Sequence, residues 1–402
     1  MSTTSTLRLY LPIVLMTSQH STAGTVITPY LDNLSFPVSL IGTLVSISPV
    51  MALAARLPAG LIYRGHRARL LMVAALTVIA LCNIAYTFAV QPLAFAFIHA
   101  LNGFAFASAT TVYLALFVES LPAGADRSHA MGYYSGCLAI GFSSGSFISG
   151  YVSDLWGYAA SFRVAAALAV LASVILLCFI RVPSTKTATG LAPTRDPEGP
   201  FHALKSLGAL LNSRMATTVV VALFVNMLHQ LGTTFFPLYA LSVGLTMTEI
   251  GIIRGLYALC NAVTRPISGL VVQRIGRHRL SYSGIPLESL VMMSVPFFAD
   301  VGTLGIIFVA AGLLRAVVTV ANAISLIEDT DETVSRGVSS GVYHAAGDVG
   351  NILGPSIGGM IAAFTGITHL FWVAPPFLVF AFLISLLGCK FSSLATVKTR
   401  AR

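Results

Sequence analysis

The sequence predicts an all-α membrane protein whose twelve transmembrane helices form two pseudo-symmetric six-helix bundles. Three observations predict it. The 402 residues are 56% hydrophobic and only 9% charged, with a mean hydropathy of +0.86, whereas soluble domains are about a quarter charged. The apolar runs last about 20 residues, enough to cross a bilayer as a helix, where barrel strands would alternate over about ten. A shift of 209 residues maps one half of the chain onto the other.

The elements follow in order, each bounded by charged or turn-rich breaks. Span 1, about residues 9–30, is expected to stay in the membrane rather than be cleaved as a signal, and it carries Gln19 and His20. Spans 2 and 3, about 39–62 and 70–90, are joined by "GLIYRGHRAR". Span 4, about 93–118, contains "HALNG". Spans 5 and 6 run over about 130–152 and 161–180. Residues 181–214 are rich in Pro, Thr, Lys and Arg and read as a linker, leaving 1–180 and 215–402 as the two bundles. Span 7, about 215–239, clusters Asn226, His229, Gln230 and Thr233. Span 8, about 248–272, bears Arg254, Tyr257 and Asn261 as one stripe. Span 9, about 280–299, carries Glu288 in its middle. Spans 10 and 11, about 303–326 and 337–364, each present a polar stripe at i, i+4 and i+7: Arg315, Thr319 and Asn322, then His344, Asp348 and Asn351. Span 12 covers about 369–389.

Charge sets the expected orientation. With both termini inside, 18 of the 23 Lys and Arg residues fall in inner loops and tails, as the positive-inside rule requires. The excess of +9 therefore reads as topology and not as a nucleic-acid surface. The five cysteines all lie in apolar segments without metal or redox spacing. No P-loop, metalloprotease spacing or G-x-S-x-G elbow is present, so neither an enzyme, a metal site nor a cofactor is expected.

The repeat carries the organisation further. At the offset of 209, His20 meets His229, Gly42 meets Gly251, Arg56 meets Arg265, and Gly141, Gly145 and Gly150 meet Gly350, Gly354 and Gly359. An even number of spans per half makes the repeats parallel, related by an axis along the membrane normal. "GNILGPSIGG", residues 350–359, and its twin "GFSSGSFISG", residues 141–150, read as bendable seams where helix backbones come close.

On these motifs the chain resembles the major facilitator superfamily, and its drug and metabolite antiporter branch, over essentially its whole length. "GLVVQRIGRHR" matches that family's G-x-x-x-D-R-x-G-R-[RK] loop at Gly269, Arg274, Gly276 and Arg277, with Gln273 in place of Asp; Gly60 opens the shorter first-half copy. "GNILGPSIGG" matches the antiporter signature G-x-x-x-G-P-x-x-G-G through Gly350, Gly354, Pro355, Gly358 and Gly359, although here the good copy is in span 11 rather than span 5. "HALNG" resembles R-x-x-q-G with His99 in place of Arg. The resemblance implies alternating access between two rocking halves, with export as the expected direction.

Ionisable residues inside spans are costly and mark pathways or partners. Gln19, His20, His99, Asn226, His229, Gln230, Arg254, Tyr257, Asn261, Arg315 and Asn322 are the expected substrate contacts. His344, Asp348 and Glu288 are the expected proton-coupling groups. Arg315 and Asp348 lie at similar depths, about 20 and 18 Å from the inner surface by helix rise, which permits an ion pair. Arg254, five residues from Glu249, is expected to reach for the outer surface, with ligand contact as the alternative. Arg56 and Arg265 read as structural groups at neighbouring helix ends. The fixed cations favour an anionic or zwitterionic organic solute carried by a monomer in a bacterial or archaeal cytoplasmic membrane, coupled to protons. The alternatives are an importer or uniporter of organic anions or sugars and, from another class, a non-transporting receptor or scaffold.

Overall fold

The computed structural model describes residues 3–62, 65–121, 127–179, 213–329 and 336–400. Twelve α-helices occupy them: α1 (Thr3–Asn33), α2 (Val38–Ile62), α3 (Gly65–Tyr86), α4 (Pro92–Glu119), α5 (Arg127–Trp156), α6 (Tyr158–Phe179), α7 (Ser213–Ser242), α8 (Met247–Ile275), α9 (Arg277–Met293), α10 (Val301–Asp329), α11 (Arg336–Thr365) and α12 (Ile367–Arg400). No strand occurs among the described residues. The expected linker, residues 181–214, lies almost wholly outside the described residues, as do the surroundings of Gly60.

The duplication extends to the helix boundaries. Starts at 38, 92, 127 and 158 recur at 247, 301, 336 and 367. Packing repeats likewise: α1 lies against α5 and α6, α2 against α4, and α3 against α4 and α6, while α7 to α12 repeat these pairings. Gly157 and Gly366, at φ 78° and 82°, make the one-residue joints after α5 and α11. A side chain would be strained at such φ values. Gly276 does the same between α8 and α9 at φ 97°, and so ends one helix where the next begins.

Several helices overrun the expected spans, while spans 3 and 9 end early: α3 stops at Tyr86, short of the expected 90. α9 stops at Met293, and Pro296 sits in a 3₁₀ turn, Val295–Phe297, since proline cannot donate to a continuing helix. Asp300 then opens α10 by accepting from the Thr303 N–H at 2.7 Å, a bond that holds its carboxyl below the usual range.

Among the described residues, seven helices are long and apolar enough to cross a membrane by length and composition: α2, α3, α4, α6, α7, α10 and α12. Four of the other five, α1, α5, α8 and α11, meet the opposite half or line the central hollow. Their mixed composition follows from facing protein and cavity instead of lipid.

Candidate functional site

Two seams join the halves, α2 against α11 and α5 against α8. They are the same seam twice. The Ser46 hydroxyl donates to the Ile352 carbonyl at 2.7 Å, and the Ser143 hydroxyl donates to the Gly255 carbonyl at 2.9 Å. At the offset of 209, Ser46 corresponds to Gly255 and Ser143 to Ile352, so one pairing is built twice with the donor on opposite helices. Gly42 faces the backbone of Pro355 and Gly359, and Gly251 faces that of Ser146 and Gly150. A Cβ at any of these glycines would collide with backbone.

The motif read as a single seam divides its glycines between two faces. Gly350 and Gly354 meet the backbone of α7, Gly358 meets Leu231 and Phe235, and of these glycines Gly359 is the one that reaches α2, beside Ile352, Pro355 and Ser356. Gly350 and Gly354 are four residues apart and share a face, whereas Gly359 is turned well away from them. Gly269 has open space where a Cβ would go. Arg274 is exposed. Arg277 pairs with Glu328 and, at 2.9 Å, with buried Asp329, so its partners are acids at the end of α10 and not the missing loop Asp.

Both seams lie towards the end opposite the chain termini, around residues 38–46 and 247–255. There Asp154 of α5 caps the first turn of α8, accepting from the N–H of Met247 at 3.0 Å and of Thr248 at 2.7 Å. Below the seams a cavity of about 540 Å³ runs between the halves. It is thus closed at the seam end.

The cavity gathers many of the expected residues. His20, His99, His229, Gln230, Arg254, Tyr257, Asn261, Arg315 and Asp348 all line it. His229 Nδ1 and the Tyr257 hydroxyl are 2.7 Å apart. Arg254 donates to the Thr233 carbonyl at 2.5 Å. Pro237, four residues on, has no N–H to offer that carbonyl, which explains why Arg254 turns inward instead of reaching the surface as expected.

Five expected residues stand apart from the cavity wall. Gln19 is buried and accepts from Asn83 at 3.2 Å. Asn322 is buried and donates to the Thr218 carbonyl at 3.1 Å. Asn226 accepts from Arg315 at 2.9 Å and so supports that residue from behind. His344 is exposed beyond the lining. Glu288 is 1% exposed, with one carboxylate oxygen lacking a hydrogen-bond partner among the described residues. It acts electrostatically on Arg315 without pairing with it.

The pair permitted by depth, Arg315 with Asp348, does not form. Arg315 donates to Val225 O at 2.8 Å and to Asn226, while Asp348 pairs across the halves with Arg56 at 3.0 Å. Equal depth said nothing about azimuth: α10 turns Arg315 towards α7, and α11 turns Asp348 towards α2. Arg56 and Arg265, set aside as structural, both line the cavity. The signal was available, because Arg265 continues the Arg254, Tyr257, Asn261 stripe by one more turn. His99 is 6% exposed and bonded through Nδ1 to the Tyr86 hydroxyl at 2.8 Å.

Comparison with known proteins agrees with this architecture. The model of the Major Facilitator Superfamily matches residues 9–329 and 233–399. Multidrug resistance protein 1 of Bacillus subtilis (strain 168) is 26% identical over 258 residues, 61% of each chain, so this chain aligns with somewhat under two thirds of that relative's length. An uncharacterised transporter of the same family from Methanocaldococcus jannaschii is 20% identical over 83% of this chain and 84% of its own. Among solved structures, a bacterial homologue of the human lysosomal transporter Spinster, inward-facing and unoccupied, superposes with a TM-score of 0.76 at 15% identity, covering 97% of this chain and 93% of that one. The twelve duplicated helices, the doubled seam and these matches place the chain in the major facilitator superfamily of transporters, as a membrane protein and not an enzyme.

Proposed function

We propose that the chain is a secondary active transporter that moves a small anionic or zwitterionic organic solute by alternating access, exporting it in exchange for protons. The observation that carries this reading is one cavity walled by both halves, sealed at one end by two equivalent seams. Rocking about those seams would close the terminal end and open the other. The basic inner loops favour cytoplasmic termini, so the state described is inward-facing. Residues 1–180 and 215–402 are proposed as the moving bodies, with 181–214 as their linker, in a monomer.

Arg254, Arg265 and Arg315 supply the positive wall, and His20, His229, Gln230, Tyr257 and Asn261 supply its neutral polar contacts. Asp348, His344 and Glu288 are the proposed proton-coupling groups. Asp348 is the best placed, since protonating it would release Arg56 and loosen a contact between the halves. Efflux also fits the name of the Bacillus relative.

Purified protein in proteoliposomes with an imposed pH gradient tests the reading. Gradient-driven flux of an organic anion, reduced by Asp348→Asn, is expected. Flux indifferent to the gradient in both orientations would remove proton coupling, and uptake that follows protons inward would replace export with import.

A further inference from the structure

The duplicated backbone allows the cavity's two walls to be compared position by position. At the offset of 209, Phe106 corresponds to Arg315, Val45 to Arg254 and Phe142 to Asn351, and all six of these residues line the cavity. These three places are apolar in the first half and cationic or polar in the second, whereas His20 with His229 and Arg56 with Arg265 are alike. The difference therefore lies in the side chains and not in the architecture.

The first-half wall is a ring platform. His20 stacks on Phe106 with centroids 3.8 Å apart and planes 8° from parallel, while Phe142 stands edge-on to His20 at 6.2 Å. The second-half wall is an unbalanced cluster of cations. Arg254, Arg265 and Arg315 form no ion pair among the described residues; Asp348, the one acid on the cavity wall, is already paired with Arg56. Arg265 makes no hydrogen bond there either. Arg254 and Arg315 are half-buried and Arg265 is open to the cavity, and each guanidinium is a planar fork suited to carboxylate or phosphate oxygens. A volume of about 540 Å³ is within the usual range for drug-sized ligands.

We propose that this cavity binds amphipathic organic anions: a flat aromatic ring against His20, Phe106 and Phe142, and a multiply charged acidic head between Arg254, Arg265 and Arg315. This deepens the carrier reading and rests on it for physiological meaning, but binding can be measured without flux. The assignment also separates the chain from a site for lipophilic cations, which these three arginines would repel.

The test uses the purified full-length protein in detergent and four probes measured by calorimetry: 1-naphthyl phosphate, cyclohexyl phosphate, inorganic phosphate and 1-naphthylmethylamine. 1-Naphthyl phosphate is expected to bind at least tenfold more tightly than each of the others. Arg265→Gln should weaken it about tenfold without lowering the melting temperature of the unliganded protein, because Arg265 has no internal partner to lose. Phe106→Leu should weaken 1-naphthyl phosphate about fivefold and leave cyclohexyl phosphate unchanged. Equal affinity for the amine, or an Arg265→Gln variant that binds like the parent, would overturn the assignment. So would Phe106→Leu weakening both phosphates alike. Should a variant not fold, the probe ranking on the unaltered protein still decides. Tight binding of 1-naphthyl phosphate with no proteoliposome flux would count against the carrier reading while leaving the subsites standing.

Discussion

Arg56 and Asp348 form an ion pair across the two halves, and their surroundings differ. The Arg56 side chain is 46% exposed and that of Asp348 only 8%, so removing the arginine strands a buried carboxylate while removing the acid leaves a cation that cavity water can solvate. Arg56→Gln should therefore lower the melting temperature more than Asp348→Asn. The double variant should recover about 1 kcal/mol relative to the sum of the singles. Strict additivity in thermal unfolding of the four proteins would show that the pair contributes no coupling. The sequence made both residues visible as intramembrane charges but not their partnership, because a pair depends on which way each helix is rotated. His20, His229, Tyr257, Asn261 and Arg315 were legible as cavity candidates, since polar groups in apolar spans have few other places to go. Gln19 and Asn322 obeyed the same rule differently, by bonding to neighbouring helices.

At the scale of helices, glycine acts by distance. On α11, Gly359 faces the backbone of α2, whereas Gly269 on α8 has open space around it. Gly359→Val should force the seam apart and raise the population open at that end. Gly269→Ala should stabilise by up to about 1 kcal/mol through helix propensity. Gly276→Ala sits at φ 97° and should cost about 1–3 kcal/mol in strain. Thermal unfolding of the three variants checks the order; a Gly269→Ala protein less stable than Gly276→Ala would contradict it. The glycine motif was plain in the sequence as a place of close approach. Which glycine meets which helix was not, because one helix offers different faces to different neighbours.

At the scale of the molecule, the two seams share one framework but differ at the end opposite the chain termini. Asp154 caps α8 across the halves, but its repeat counterpart is Ala363, which has no carboxylate to offer α2. The α5–α8 seam thus holds a charged latch that its twin lacks. Asp154→Ala should lose about 1 kcal/mol of capping, shifting the two-state balance about fivefold towards opening at that end. The check is an impermeant maleimide applied from the seam side to Thr28→Cys in a cysteine-free background, where Thr28 lines the cavity. An unchanged labelling rate would mean that the cap does not hold the gate. The sequence by itself determined the membrane setting, the twelve helices and their duplication, because these follow from hydropathy, length and a constant offset along the chain. Only the tertiary structure decided that Arg56 meets Asp348, that Arg254 turns inward, and that one cavity has a ring-lined wall opposite a cationic one. Those outcomes depend on the rotation of each helix about its axis, which long-range packing sets.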